Sequence, residues 1–352
     1  LERDWRTRLL QAQIEAKGDK LDQALLMGDQ LRTIAEQQNW SNQLVSAYQL
    51  RAELFERKSE WSKAGQEYLH LLKDGLPPAI RRRAFLNVAR LRIKYGDFLR
   101  ALATLRHLKQ QEDLKFIHPI ADYMISEIHL LLYRVGEKDQ LSTAMAHFEK
   151  TTVQDWDASL QARAHWGLAQ CRLFSGKTTK AMEAMQKALE TVRSKDVRAW
   201  IQYHLALEYS KQGIHDVAIL GFQNVRTNVL EGISAELLHA ARFMQFKNTL
   251  AVNNVLDAEA LLVEIRVESD ASYLDKALLT MAQARIDRGE KEIAKAVLFE
   301  FREQAPASEL QAEAILEEIR LLVIERKWTE AITKYDKWLK TYPQHKNRME
   351  VL

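Results

Sequence analysis

Small and apolar residues recur along this chain at fixed offsets, with a glycine in each group. In the stretch Ala169–Ala188, an alanine, a glycine, an alanine, a methionine and an alanine follow one another at steps of seven, five, four and three. Gly176 is the glycine of that group, and groups with the same offsets surround Gly96, Gly213 and Gly289. Steps of three, four and seven place residues on one face of an α-helix, and glycine ends helices readily. Each group therefore predicts two helices joined by a tight turn.

The alanine that begins each second helix recurs through the whole sequence. Successive alanines are 36 to 43 residues apart, at Ala24, Ala64, Ala101, Ala144, Ala181, Ala218, Ala258, Ala294 and Ala331. A fixed internal period is typical of a repeat array, which grows by stacking one hairpin on the next. We therefore predict an all-α fold, an α-solenoid of about nine antiparallel helix-turn-helix repeats that fills residues 1–352 as a single domain. The hairpins are expected at about 1–38, 40–75, 78–112, 118–152, 157–193, 196–230, 234–267, 271–305 and 307–343.

The few glycines and prolines fall where helices are expected to end. The segment Lys17-Gly18-Asp19 predicts the turn of the first hairpin. In the second hairpin, we expect the second helix to run over Trp61–Lys73 and to stop before Pro77, because proline cannot continue a helix. The 43-residue interval that ends at Ala144 predicts a longer turn, which begins at Gly136.

The repeat resembles the tetratricopeptide repeat (TPR), a helix-turn-helix unit of about 34 residues. The sixth hairpin carries its small residues, turn glycine and aromatic residue at Ala206, Tyr209, Gly213, Ala218 and Phe222. The last hairpin matches the second half of the unit at Ala331, Tyr335 and Pro343. The usual interval here is 37 residues, and the Trp-x-x-Leu-Gly start of the family is mostly absent.

This resemblance implies a right-handed superhelix that binds other proteins and has no catalytic activity. The segment Tyr335–Pro343 also looks like repeats of bacterial cell-envelope proteins, such as outer-membrane assembly lipoproteins and Tol-Pal-associated periplasmic proteins. The similarity favours the bacterial periplasm or cell envelope, with the cytoplasm as the alternative.

Composition excludes several classes of partner. The formal net charge is +3, from 51 basic and 48 acidic residues, which gives no reason to expect nucleic acid. No apolar run approaches the roughly 20 residues of a membrane span, so we predict none. The chain begins at Leu1 without an initiator methionine, and we expect a processed form or an excised segment of a longer protein.

The sequence contains no motif that carries recognised chemistry. It lacks the phosphate-binding loop, the metalloprotease helix and the nucleophile elbow, and its histidines are scattered singly. The one cysteine, Cys171, lies within a first helix, where we expect a small core residue. We therefore predict no enzyme, no catalytic residue, no metal site and no cofactor.

Charge is distributed unevenly along the chain. The segment 81–109 has nine basic residues and one acidic residue, and the segment 300–325 has seven glutamates and two arginines. Two solvated helix faces would explain this pattern. The alternative is a basic groove near the third hairpin that attracts an acidic peptide.

The resemblance also implies which positions face a partner. In TPR proteins, the first helices line the concave surface with their second, fifth, sixth, ninth and thirteenth positions. With Ala89, Ala169 and Ala206 as eighth positions, the candidates for partner binding are Arg83, Asn87, Arg90, Lys94, Arg163, Trp166, Trp200 and Tyr203. Arg and Asn can hold a carboxylate and a peptide backbone, and Trp and Tyr supply contact area. Packing between helices is the alternative role of Trp166 and Trp200.

Two functions remain open from the sequence. The first is a scaffold that binds a protein or peptide, with an acidic one as the specific expectation, in a concave groove. The second is a structural or regulatory segment of a larger protein or assembly, which packs on its own domains or subunits. Apolar residues near both ends, among them Trp5 and Trp338, suggest self-association or continuation of the repeat array.

Overall fold

A computed structural model describes residues 1–73, 75–152, 157–227, 233–267 and 273–345. Within these ranges, the regular structure consists of eighteen α-helices and two 3₁₀ segments. The chain divides into two compact units, unit 1 (Leu1–Thr191) and unit 2 (Val192–Leu352). Residues 228–230 and 271–272, which belong to two predicted hairpins, lie outside the described residues.

Unit 1 contains five helical hairpins among its described residues. Its ten helices are α1 (Glu2–Lys17), α2 (Leu21–Gln37), α3 (Ser41–Arg57), α4 (Trp61–Leu69), α5 (Pro78–Lys94), α6 (Phe98–Gln110), α7 (His118–Arg134), α8 (Gln140–Thr152), α9 (Ala158–Phe174) and α10 (Thr178–Thr191). Each helix packs against the one that follows it, so every hairpin covers one side of the next.

Unit 2 contains four hairpins among its described residues. Its eight helices are α11 (Lys195–Lys211), α12 (His215–Thr227), α13 (Ala235–Ala251), α14 (Val255–Arg266), α15 (Leu274–Asp287), α16 (Lys291–Gln304), α17 (Gln311–Ile324) and α18 (Trp328–Thr341). Successive helices pack in the same way as in unit 1. The predicted all-α fold of nine hairpins is therefore confirmed within the described residues, whereas one solenoid over 1–352 stays a prediction.

The alanine frame lies where the two helices of each hairpin approach most closely. None of the nine alanines from Ala24 to Ala331 that begin the second helices is more than 2% exposed. A small side chain at this point lets two helices come together without a gap, and larger apolar residues one turn further along fill the space around it.

The turn between the helices of a hairpin requires a left-handed residue. Five residues before the frame alanine, Gly96, Gly176, Gly213 and Gly289 have φ between 69° and 77°. The equivalent residues Asp19, Ser59, Asn253 and Arg326 have φ between 59° and 62° without being glycine. The left-handed conformation costs an L-residue roughly 1–2 kcal/mol, so the turn is imposed by helix packing even where the residue disfavours it.

One predicted helix boundary is wrong, whereas the turn predicted at Lys17-Gly18-Asp19 agrees with the structure. Within that turn, Gly18 has φ of −78°, and the left-handed residue is Asp19, five residues before Ala24. The helix predicted over Trp61–Lys73 ends at Leu69 and continues as a 3₁₀ segment, His70–Leu72. The tighter segment buries Leu71 before Lys73 becomes extended.

The long interval before Ala144 has two sources. The turn at Gly136 is longer than the others, as predicted, with five residues between α7 and α8. A 3₁₀ segment, Glu112–Ile117, also lies between α6 and α7, and it buries Leu114 and Ile117. The turn therefore accounts for only part of the interval, because helical periodicity alone does not distinguish this segment from a loop.

A buried tryptophan stabilises the first hairpin of unit 1 and the last hairpin of unit 2. The indole Nε1 of Trp5 donates to the carbonyl oxygen of Leu31 at 2.9 Å, and the indole of Trp338 donates to the carbonyl oxygen of Ala312 at 2.9 Å. Each bond joins the two helices of one hairpin and satisfies the indole N–H where the ring is buried.

Replacing the turn glycine Gly176 by alanine should destabilise unit 1. The added Cβ disfavours the φ of 69° at this residue, so the free energy of unfolding is expected to fall by about 1–2 kcal/mol. Urea unfolding followed by circular dichroism measures the change.

Gly65→Ala is the matched control, because Gly65 lies inside α4 and an added Cβ would meet no atom within 4 Å. Alanine is the better helix former by roughly 0.5–1 kcal/mol, so this variant should be more stable than the original chain. Equal effects of both substitutions would contradict the assignment of the turn.

Candidate functional site

The first helices of unit 1 present charged and aromatic side chains in two connected groups, one on α1, α3 and α5 and one on α7 and α9. Helix α1 contacts α3, α7 contacts α9, and ion pairs join α3 to α5. We call the exposed and half-buried residues along these helices the first-helix face. It comprises Leu10, Gln13, Ile14, Lys17, Glu53, Glu56, Arg57, Arg83, Asn87, Arg90, Lys94, Tyr123, Glu127, Arg134, Arg163, Trp166 and Gln170.

The predicted residues on α5 form a stripe along this face. Arg83 donates to the Glu53 carboxylate at 2.7 Å, and Arg90 donates to Glu56. The Lys94 ammonium lies 3.4 Å from the ring centroid of Trp61, a cation–π contact. The side chains of Arg83 and Arg90 remain 56% and 57% exposed, so their ion pairs contribute little to stability and can be exchanged for a ligand at low cost.

Arg163 and Trp166 line a cavity of about 190 Å³ between α7 and α9. Across this cavity, the Tyr123 hydroxyl donates to Glu127 Oε1 at 2.7 Å, and Arg134 donates to the Gln170 side-chain oxygen. Arg163 is exposed and makes no hydrogen bond or ion pair with any described residue. The structure therefore places the two predicted residues together, with a guanidinium available for a ligand.

The cavity contains the carboxylate of Glu127, whose surroundings disfavour its ionised form. Burial raises the pKa of Glu127, and the Tyr123 hydrogen bond and the positive charges of Arg163 and Arg134 only partly oppose this effect. Burial and the neighbouring Glu127 also raise the pKa of Tyr123. A half-buried ionisable pair in a cavity, next to a cation that makes no ion pair with a described residue, is a feature of binding sites more often than of ordinary surfaces.

The floor of this cavity is formed by Phe148 and Gly167. Phe148 is fully buried, and a Cβ placed on Gly167 would overlap its ring. Gly167 therefore lets the second helix of one hairpin approach the first helix of the next, which shapes the cavity next to Trp166.

In unit 2, Trp200 and Tyr203 belong to an aromatic cluster on α11. Trp200 is 36% exposed and stacks on His204 with ring centroids 6.0 Å apart. Tyr203 packs against the buried Phe222 at 5.6 Å, and burial raises its pKa. Tyr203 therefore contributes to packing, whereas Trp200 keeps part of its ring available for a partner.

Sequence reasoning missed several residues of these sites. Tyr123 and Glu127 were not among the candidates, because the long turn of the fourth hairpin shifts their helix relative to the alanine frame. In unit 2, Phe243 stacks on Tyr273 at 5.2 Å, and Lys276 lies over the Tyr273 ring at 5.1 Å. Phe243 lies three residues before Phe246, which occupies the small-residue position of α13, so the offset alone could have found it.

The charge runs of the sequence are used mainly as contacts between helices. Of the nine basic residues in 81–109, all except Arg106 contact a described residue through a hydrogen bond, ion pair or aromatic ring. In the acidic segment 300–325, Glu300 pairs with Arg266, and Glu325 pairs with Lys295 and Lys327. Neither run is simply a solvated face.

The described residues offer no evident reactive group. Cys171 is fully buried, and burial raises the pKa of its thiol to about 12, so it stays protonated at neutral pH and packs as a core residue. Within the described ranges, no cluster of three or more His, Cys, Asp or Glu side chains could hold a metal ion. None of the described helices is both long and apolar enough to cross a membrane.

The geometry defines a protein built from repeated helical hairpins. No protein-family model matches the sequence, and no curated protein matches it either. Among solved structures, the chain is similar to the C-terminal part of a TPR repeat-containing protein from Cytophaga hutchinsonii. The TM-score is 0.56 at 13% identity, over 75% of this chain and 98% of that one.

Two further solved structures are similar at lower scores. They are a tetratricopeptide repeat protein from Parabacteroides merdae, with a TM-score of 0.46, 13% identity and coverage of 76% and 95%, and PilF from Pseudomonas aeruginosa, with a TM-score of 0.46, 17% identity and coverage of 66% and 97%. The chain therefore has the fold of the tetratricopeptide repeat proteins, as the alanine and glycine frame predicts.

Replacing Glu127 by glutamine should stabilise unit 1 at neutral pH. The folded protein holds the pKa of Glu127 above the unfolded value near 4.5, so ionisation of this group disfavours folding as pH rises through the folded pKa. Glutamine keeps an acceptor for Tyr123 and carries no charge. The free energy of unfolding should therefore increase at about pH 7, and the gain should disappear at about pH 4.

Urea unfolding at the two pH values measures this difference. Glu183→Gln is the control, because Glu183 is exposed on α10 and makes no ion pair with described residues. A loss of stability in Glu127→Gln at about pH 7 would show that Arg134 and Arg163 outweigh the burial of the carboxylate.

Proposed function

We propose that the chain is a non-catalytic scaffold whose first-helix face in unit 1 binds an acidic, extended segment of a partner protein. The charge of this face carries the proposal. Its basic residues, Lys17, Arg57, Arg83, Arg90, Lys94, Arg134 and Arg163, outnumber its acidic residues, Glu53, Glu56 and Glu127. A face with this excess attracts acidic segments and repels basic ones.

Arg163 is the best candidate for the first carboxylate of such a segment. Its guanidinium has no competing partner among the described residues, and it can donate two parallel hydrogen bonds to one carboxylate. Trp166 and Gln170 line the same cavity and supply apolar area and an amide beside the bound group.

The stripe on α5 fits a second and a third carboxylate. Arg83 and Arg90 are seven residues apart, about 10 Å along the helix, which is close to three residues of an extended chain. Binding would transfer each guanidinium from its glutamate on α3 to the ligand. The Arg83–Glu53 pair is exposed, so its exchange costs little, and Glu56 keeps its hydrogen bond from Tyr68 when Arg90 moves to the ligand.

The α1–α3 end of the face can hold an apolar side chain. Leu10 and Ile14 are exposed beside a cavity of about 470 Å³, and Leu50 and Leu54 line the same cavity. A largely apolar depression next to Arg57 and Lys17 suits a segment in which a hydrophobic residue neighbours acidic ones.

Charge reversal of Arg163 should abolish this binding. A random-peptide display library selected on the purified chain should yield peptides rich in Asp and Glu. The dissociation constant of such a peptide should rise about tenfold or more in Arg163→Glu, and it should rise with salt as exposed charges are screened. Isothermal calorimetry measures both effects.

Arg106→Glu makes the same charge change at an exposed residue of α6 that has no partner among the described residues, and it should leave binding unchanged. The double variant Arg83→Glu with Glu53→Arg keeps the ion pair but places the arginine on α3 and the glutamate on α5. It therefore shows whether binding needs the cation at residue 83 or only an intact ion pair. Selected peptides that are not acidic, or that bind Arg163→Glu normally, would refute the proposal.

A second candidate function is a structural segment of a larger assembly. Second helices of unit 2 carry exposed aliphatic side chains, which are typical of surfaces that contact other proteins, at Val217, Leu220, Leu256, Val263, Ile293 and Ile332. Light scattering tests self-association through this surface. A mass that rises with concentration would favour it, and a constant monomer mass would argue against it.

The periplasm or cell envelope remains the compartment that we propose on the similarity of 335–343 to envelope repeats. In the structure, Trp338 of this segment is buried, and Tyr335 and Tyr342 pack against the same core cluster. These residues therefore pack in the core of the hairpin. A related repeat in another compartment would need the same packing.

A further inference from the structure

A long apolar groove lies on unit 2. It is separate from the aromatic cluster on the first helix α11. It runs between the second helices α16 and α18, over α17, and encloses about 800 Å³. Leu298, Leu321 and Leu322 line it, and Phe299 stands at its edge with 64% of its surface exposed. Exposed aromatic rings beside an apolar cavity are typical of docking surfaces rather than of ordinary helix surfaces.

A second cavity of about 300 Å³ continues the groove toward Trp338 and Tyr342. Glu318 lines both cavities, and it accepts hydrogen bonds from Arg302 on one side and Lys334 on the other. The lining residues of α18 extend from Thr329 to Thr341, which corresponds to about 18 Å of helix. The groove is therefore as long as a ligand helix of about three turns.

The equivalent site between α12 and α14 shows that the repeat does not require an aromatic side chain at the position of Phe299. There, Gln223 occupies the position of Phe299, five residues after the frame alanine, and Gln245 occupies the position of Glu318. Arg226, equivalent to Arg302, donates to Gln245 at 2.6 Å and to Glu264. That cavity, of about 390 Å³, has no aromatic side chain among the described residues that line it.

The end of the groove near Lys337 is electropositive. Arg302, Lys334 and Lys337 surround one carboxylate, Glu318, and the Lys337 ammonium makes no hydrogen bond or ion pair with any described residue. Burial, together with the charges of Arg302 and Lys337, lowers the pKa of Lys334. At the other end, Glu325 is held by Lys295 and Lys327 and is already neutralised. A ligand would therefore gain most from carboxylates at the Lys337 end.

A helix fits these walls better than an extended segment does. The backbone groups of α16 and α18 are bonded within their own helices, so they offer no partners to the main chain of a ligand. An extended segment would bury N–H and C=O groups against leucine side chains, whereas a helix satisfies them internally.

We propose that this groove is a second binding site, which docks an amphipathic helix of about twelve residues from a partner protein. The apolar side of the helix packs on Phe299 and Leu322, above the buried Leu298, and its acidic residues contact Lys337 and the Arg302–Glu318–Lys334 bridge. The site uses second helices of unit 2 and shares no residue with the first-helix face of unit 1. It therefore does not depend on the proposed function.

A display library of helical peptides of about 16 residues, selected on the full chain, tests the proposal. Enriched peptides should carry apolar residues at helical spacing and Asp or Glu on one flank. Phe299→Gln, which copies Gln223, should weaken their binding about tenfold or more, and Lys337→Glu should weaken it about threefold or more. Circular dichroism should remain unchanged, because both side chains are exposed.

Val263→Gln is the matched control. Val263 occupies the position of Phe299 on α14 and is 54% exposed, but it does not line this groove. Binding should be unaffected in Val263→Gln and in Arg163→Glu, and the second result separates this site from the first-helix face.

Three results would overturn the proposal. They are helical peptides that bind Phe299→Gln as well as the original chain, selected peptides without acidic residues, and a dimer of the chain that is lost in Phe299→Gln. The last result would assign the groove to a second copy of this protein instead.

Discussion

The structure depends on the close approach of two helices at one small residue in each hairpin. The frame alanines from Ala24 to Ala331 are buried at this contact, and in eight of the nine hairpins among the described residues the chain reverses five residues earlier. That reversal imposes a left-handed residue, whether it is Gly176 or Arg326. Because the contact recurs in every hairpin, stability within each unit accumulates through neighbours and needs no single large core.

Charged residues add a second level of connection within each unit. Arg51 is buried between Glu67 and Asp29, and Arg285 is buried between Glu259 and Glu290. Such pairs cost desolvation energy but fix which helix lies against which. Arg81, in the basic run on α5, is buried in a similar way beside Asp113. Arg163 and Lys337 differ from these residues, since neither has a partner among the described residues, and each stands beside a cavity.

Periodicity made the hairpins predictable, because packing repeats with the sequence. The prediction failed where the second helix of the second hairpin tightens into a 3₁₀ segment that buries Leu71. Part of the candidate site was also predictable, since Arg163 and Trp166 follow from their offset to Ala169. Glu127 could not be predicted from such an offset. Its role depends on burial and on Tyr123, Arg134 and Arg163, which come together only after two hairpins have packed.

Phe299 shows why recognition is harder to read from a sequence than architecture. A phenylalanine in an amphipathic helix ordinarily predicts core, and Phe301 two residues later is indeed fully buried. The same repeat position carries Gln223 in α12 and Val263 in α14, so packing does not determine its identity. The repeat does not constrain this position, yet an exposed aromatic ring lies there beside an apolar groove. Binding of a partner is what would determine the residue at such a position. The close approach of the two helices therefore determines the frame alanines and the turn residues. The positions that it does not determine are the ones that can bind a partner.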